Sequence, residues 1–132
     1  VAAVIPLLIE LCETGSAHQK RMALYCLRDL ALNDAESRLA MLTALEDKEP
    51  TVRVAAVTSL KVRTDVDRAV RQKLLATYLY DADDRVKNVI AVTLASLGSP
   101  DEEFMRALNE ASRSGNGQIK KSADAALKML QK

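Results

Sequence analysis

A chain of 132 residues with 48% hydrophobic side chains, but only four Gly and three Pro, can bury a core and has no room for a long unstructured linker. Aromatic residues make up 3% with no Trp, so the core must be built of Leu, Ala, Val, Ile and Met, a composition that favours helices over sheets. A formal net charge of +1 excludes a whole-chain pull toward nucleic acid or an acidic membrane, and two cysteines, Cys12 and Cys26, exclude a disulfide scaffold and lack metal-site spacing, which points to a reducing, cytoplasmic setting.

The opening run VAAVIPLLIELC is apolar for only about twelve residues, lacks a basic leader and runs into Glu10 and Glu13, so it reads as a helix rather than a signal peptide or membrane span. The missing initiator Met points to a piece of a longer protein. Gly15-Ser16 ends this helix, and a second begins near His18. Asp34 is the expected cap of a third helix carrying Met41, and Lys48-Glu49-Pro50 turns the chain into a fourth. Asp65 is the expected cap of a fifth helix carrying Leu75, with Asp83-Asp84 opening the sixth. Ser99-Pro100-Asp101-Glu102 reads as a capping box with Pro at the first helical position of the seventh, and Gly115-Asn116-Gly117 is the turn into the eighth.

Four of these helices carry one frame. QKRMALYCL at 19–27, VRVAAVTSL at 52–60, VKNVIAVTL at 86–94 and IKKSADAAL at 119–127 superpose without gaps, their starts 33, 34 and 33 residues apart, the length of one helix-turn-helix unit. The second position is basic (Lys20, Arg53, Lys87, Lys120), the fifth small or apolar (Ala23, Ala56, Ile90, Ala123) and the ninth Leu (Leu27, Leu60, Leu94, Leu127). Positions five and nine share one helix face, which is the expected core. The stripe continues at Leu30, Leu97 and Leu130, while Arg63 breaks it in the second unit. Eleven residues before each frame stand Leu8, Met41, Leu75 and Leu108, one on each preceding helix. The expectation is a single all-α domain of four helix pairs at about 1–32, 33–63, 64–98 and 99–132.

The pattern Asp47…Val52-Arg53…Ala56…Leu60, repeated as Asp81…Val86-Lys87…Ile90…Leu94, resembles the HEAT repeat, including its lyase-type variety. The first unit, VIPLLIELCETGSAHQKRMALYCLRDLA, is more similar to an armadillo repeat. The resemblance covers the whole chain and implies a right-handed α-α superhelix whose second helices line a concave, partner-binding side. It is specific for architecture and not for function. The Asn ladder with which importin-like armadillo repeats grip a peptide is absent, since its frame position holds Asp29, Val62, Ser96 and Met129. The resemblance also implies that the second-position bases pair with the turn aspartates, Arg53 with Asp47 and Lys87 with Asp81.

At 100° per residue, the pole opposite the core on each second helix falls at frame positions three, seven and ten. It carries Arg21, Tyr25 and Arg28, then Val54, Thr58 and Lys61, then Asn88, Val92 and Ala95, then Lys121, Ala125 and Lys128. The second-helix segments together carry +9 and the first-helix segments −8. A neutral floor edged by bases fits an acidic, extended or helical protein segment, so a non-enzymatic interaction scaffold is the expected role, with Arg21, Tyr25, Arg28, Thr58, Lys61, Asn88, Val92, Lys121 and Lys128 as contacts. The alternatives are nucleic-acid backbone binding by the basic layer, and a lyase-type enzyme subunit. No cofactor, catalytic group or metal site is expected. His18 is the single histidine, Cys26 stands where the other repeats have Ser59, Thr93 and Ala126 and so reads as a small packing site, and Gly115-Asn116-Gly117 lacks the setting of a phosphate loop.

Overall fold

The computed structural model describes residues 3–30, 34–62, 67–98 and 101–131. Among them are eight helices and no strand: α1 (Val4–Thr14), α2 (Ala17–Asp29), α3 (Ala35–Ala44), α4 (Pro50–Lys61), α5 (Arg68–Tyr80), α6 (Asp84–Leu97), α7 (Glu102–Ala111) and α8 (Gly117–Leu130). The chain divides into two compact units, Val1–Val70 and Arg71–Lys132.

The turns end helices for identifiable reasons. Ser16 Oγ accepts from Gln19 N at 3.2 Å while Gln19 Oε1 accepts from Ser16 N at 2.9 Å, a reciprocal capping box that starts α2 one residue after Gly15 closes α1. A Cβ at Gly15 would stand 2.6 Å from the Leu11 carbonyl oxygen, so only glycine lets the chain turn this tightly. Asp34 Oδ2 takes Ser37 N at 2.8 Å, Asp83 Oδ1 takes Arg85 N at 2.8 Å, and Asn116 Oδ1 takes Gln118 N at 2.9 Å. Pro50 occupies the first turn of α4, where its missing N–H leaves no bond unmade. Gly98 ends α6 with φ +72°, in the left-handed region that favours glycine.

Two expected caps lie outside the described residues. Asp65 lies outside the described residues, and Asp67 accepts from Val70 N at 3.0 Å to start α5. Ser99 and Pro100 also lie outside them. Helix α7 begins at Glu102 behind Asp101, which makes no side-chain cap.

In the first unit α1 packs on α2 and α3, and α4 packs on α2 and α3, giving a layer of first helices over a layer of second helices. Leu24, Leu27, Met41, Val52, Ala56 and Leu60 form the centre, each no more than 2% exposed. Ser59 Oγ lies between the carbonyl oxygens of Ala55 at 2.8 Å and Leu24 at 3.2 Å, which ties α4 to α2 in the interior. Lys20 Nζ reaches Asp47 Oδ2 at 2.6 Å, linking α2 to the turn before α4. In the second unit α8 packs on α6 and α7. Tyr78 and Phe104 meet edge to face with centroids 5.8 Å apart, joining α5 to α7. Arg71 Nη2 donates to the carbonyls of Leu97 at 2.8 Å and Gly98 at 2.7 Å, which satisfies the C-terminal end of α6.

The frame meets its expected burial at both core positions. Ala23, Ala56, Ile90 and Ala123 are buried, as are Leu27, Leu60 and Leu94, while Leu127 is half-buried. On the preceding helices Met41, Leu75 and Leu108 are buried and Leu8 half-buried. Leu30, Leu97 and Leu130 are half-buried, and Arg63 lies outside the described residues.

Candidate protein-binding surface

The second helices bring the expected exposed stripe only partly to the surface. In the first unit Arg21, Tyr25 and Arg28 on α2 and Val54 and Thr58 on α4 are half-buried, and Lys61 is exposed. In the second unit Asn88 and Val92 on α6 are half-buried, and Lys121, Ala125 and Lys128 on α8 are exposed. Ala95, at position ten of the third frame, is buried at 5% exposure. Ala125 on the same stripe is exposed, so the helical angle alone does not decide which of the two methyls reaches the surface.

The most structured part of this surface lies on α2. The Arg28 guanidinium carbon sits 4.7 Å from the centre of the Tyr25 ring, close enough for a cation–π contact, while its Nε donates to Asp29 Oδ1 at 3.1 Å. One turn earlier, Arg21 Nη2 meets His18 Nδ1 at 3.3 Å, a contact that requires Nδ1 to be unprotonated. Arg21 Nε is buried without a hydrogen-bond partner. On α4 the Thr58 hydroxyl is bonded to the Val54 carbonyl at 2.9 Å, so it offers an incoming group only its acceptor side. Asn88 in the second unit is committed to the fold, its Oδ1 accepting from Ser122 Oγ at 2.7 Å across α6 and α8.

The second-position bases divide by unit. The Asp47 carboxylate accepts Lys20, while Arg53 Nη1 donates at 2.8 Å to the Asp47 main-chain carbonyl. The expected pairing of Arg53 with Asp47 is therefore met at the backbone oxygen, and the base of the preceding repeat occupies the carboxylate. Burial works against the Asp47 charge, but the Lys20 ammonium and the Glu49 N–H outweigh it and hold its carboxyl below the usual carboxylate range. In the second unit Asp81 Oδ1 accepts Asp83 N at 2.8 Å, and Lys87 is half-buried. It lines a groove of about 410 Å³ with Tyr78, Leu79, Glu110 and Ile119. Lys120 pairs with Asp124 on its own helix at 3.2 Å, both of them solvated.

The cysteines also divide. Burial, with Glu13 adding to it, pushes the Cys12 thiol up to about 11, so it stays protonated and inert. Cys26 is exposed, contrary to the packing role expected from its frame position. Its counterpart Ser59 is covered by α2, and no described helix covers Cys26 in the same way. Among the described residues no group of three or more His, Cys, Asp or Glu side chains could hold a metal ion, and no helix is long and apolar enough to cross a membrane. A further cavity of about 220 Å³ lies between α1 and α3, lined by Ile9, Cys12, Glu36, Leu39, Ala40 and Thr43. It was not legible in the sequence because it comes from small side chains on α3 rather than from any motif. No protein-family model matches the chain, and no curated protein matches it.

Proposed function

We propose that the chain is a non-enzymatic interaction scaffold, a right-handed solenoid of four HEAT/armadillo-like helix pairs whose second-helix surface holds an acidic protein segment. The observation that carries this reading is the arginine pair on α2. Arg28 is preset over Tyr25 and shares its charge with Asp29, whose side chain is 70% exposed and readily displaced by another carboxylate. Arg21 keeps one N–H unpaired, so a carboxylate that drew the guanidinium outward would satisfy a group the free fold leaves unsatisfied. Lys61 on the neighbouring helix and Lys121 and Lys128 in the second unit add exposed cations. The +33-residue frame and the two-layer packing of α1 to α4 support the solenoid.

The test is binding of a fluorescent Glu-rich helical peptide, with a DNA duplex as a parallel arm. Reversing Arg28 and Lys61 to Glu is expected to lower peptide affinity about tenfold or more, since each lost charge-assisted bond is worth about 1 kcal/mol or above. Reversing Glu10 and Glu36 to Lys is expected to leave it unchanged. Equal loss from both pairs would place the contact elsewhere. Tight duplex binding with a steep salt slope, without peptide binding, would favour the nucleic-acid alternative.

A further inference from the structure

The turns that follow α3 and α7 stand two repeats apart and are built bond for bond alike. Glu46 N and Asp47 N close on the carbonyls of Thr43 and Ala44 at 3.0 Å and 3.1 Å, and Arg113 N and Ser114 N close on those of Glu110 and Ala111 at 3.1 Å and 3.0 Å. The next helices start at the matching residues Pro50 and Gly117. The side chain in the turn plays one common part, Asp47 Oδ1 accepting from Glu49 N at 2.9 Å and Ser114 Oγ accepting from Asn116 N at 3.0 Å. The difference is the second oxygen. Asp47 Oδ2 takes the ammonium of Lys20 at 2.6 Å, whereas Lys87, the same base two repeats on, has at the matching turn position a serine that carries no charge to neutralise it.

Lys87 and Ser114 both line the groove of about 410 Å³ in the second unit, a size that suits a small molecule. Leu79, Ala107 and Ile119 give it an apolar lining, and Glu110 adds one carboxylate on an exposed side chain. Among the described residues no ion pair engages Lys87 or Glu110. The groove therefore holds a half-buried ammonium and a carboxylate, neither of them neutralised within the fold. A simple anion would suit Lys87 and be repelled by Glu110, and a simple amine would meet the reverse. A molecule that carries both charges on an apolar body suits the whole lining. Ser114 Oγ accepts in its turn, which leaves its O–H to donate.

We infer that this groove binds a free α-amino acid with an apolar side chain, in its zwitterionic form. The ligand carboxylate takes the part that Asp47 Oδ2 plays for Lys20, accepting from Lys87 Nζ and from the Ser114 hydroxyl. The ligand ammonium pairs with Glu110, and the side chain lies on Leu79, Ala107 and Ile119. A peptide terminus carries only one of the two charges, so the free amino acid is the better match.

Titration of the 132-residue chain with leucine, followed through its amide resonances, tests this. Isocaproate, which lacks the ammonium, and isoamylamine, which lacks the carboxylate, are titrated in parallel. Leucine is expected to shift the resonances of Lys87, Glu110 and Ser114 with a dissociation constant on the order of 0.1–1 mM, and each analogue to bind about tenfold more weakly or worse. Lys87→Gln and Glu110→Gln should each weaken leucine about tenfold or more. Glu103→Gln, an exposed change on α7 outside the groove, should leave binding in place. Ser114→Asp supplies Lys87 with the carboxylate that Lys20 has, so it should abolish leucine binding and raise the urea midpoint. Circular dichroism checks that each variant keeps its helix content. The inference is overturned by the absence of shifts at these residues up to about 10 mM leucine, or by analogues that bind as well as leucine. Leucine binding that survives Ser114→Asp overturns it too, as does a Ser114→Asp chain whose urea midpoint fails to rise.

Discussion

The two units carry the same frame and join their second helices differently. In the first, α2 and α4 meet through a fully buried hydroxyl, Ser59, and frame position six is filled by Leu24 and Val57, neither of them exposed. In the second, α6 and α8 meet through Asn88 and Ser122 at a half-exposed edge, and position six holds the buried Ala91 on α6 but the exposed Asp124 on α8. Positions five and nine are therefore constant because every second helix needs a core face. Position six is Leu, Val or Ala where it is buried and Asp where it is exposed.

The largest effect that would sharpen this comparison is at position nine. Leu60→Ala and Leu94→Ala remove side chains that are 1% and 7% exposed and are expected to cost about 2–5 kcal/mol each in urea unfolding. Leu127→Ala, at a half-buried site, is expected to cost about 1 kcal/mol. Equal losses at all three would mean that the fourth pair is as enclosed as the second, and a parental midpoint for Leu60→Ala would remove position nine from the core.

A smaller effect separates the buried strut from the solvated pair. Lys20→Met leaves the Asp47 side chain, 9% exposed, without its cation, and is expected to cost about 1–3 kcal/mol at neutral pH, between the surface and fully buried limits. Lys120→Met, at a solvated pair, should cost about 0.5 kcal/mol or less. The pH dependence fixes the cause. The Asp47 carboxyl is held below its unfolded value, so the stability it contributes is present above the ordinary carboxylate pKa and is lost as pH falls through the folded one. The gap between the parent and Lys20→Met should accordingly close as pH drops from about 5 to below the depressed value. A gap that stays constant with pH would assign the loss to packing of the lysine stem.

The smallest expected difference is between the two helix-joining hydroxyls. Ser59→Ala should cost about 1 kcal/mol, because it removes a bond in the interior, and Ser122→Ala about half that or less, because water can replace it at the edge. A larger loss at Ser122 would reverse the ranking of the two joints.

Much of this was legible in the residues. A repeat of 33 or 34 residues recovered the helix pairs because each pair must bury the same two positions, and turn chemistry placed Ser16, Asp34, Pro50, Asp83 and Asn116 at their helix starts. What failed shares one cause. Helical angle gives the direction of a side chain and not what stands opposite it. Ala95 was expected at the surface and is buried, and Cys26 was expected to pack and is exposed. The partner of the Asp47 carboxylate was sought six residues away and comes from Lys20, twenty-seven residues before it, because a neighbouring pair brings its ammonium to the turn. In the candidate site the charges were readable from position alone, whereas the stacking of Arg28 on Tyr25 and the capture of Asn88 by Ser122 depend on rotamers and on an adjacent helix.

The described side-chain bonds that tie one helix pair to the next within a unit join residues 27 to 35 positions apart, from Lys20 to Asp47 up to Leu24 to Ser59. Loop closure over such ranges costs little more than over shorter ones, and the helix packing within each unit joins helices that are adjacent in the chain or one helix apart. During synthesis, the strut from Lys20 and the hydroxyl of Ser59 can both engage once the first seventy residues have left the ribosome. The first unit can then reach its native packing while the second is still being made, which shortens the time for which its nascent apolar surface is exposed.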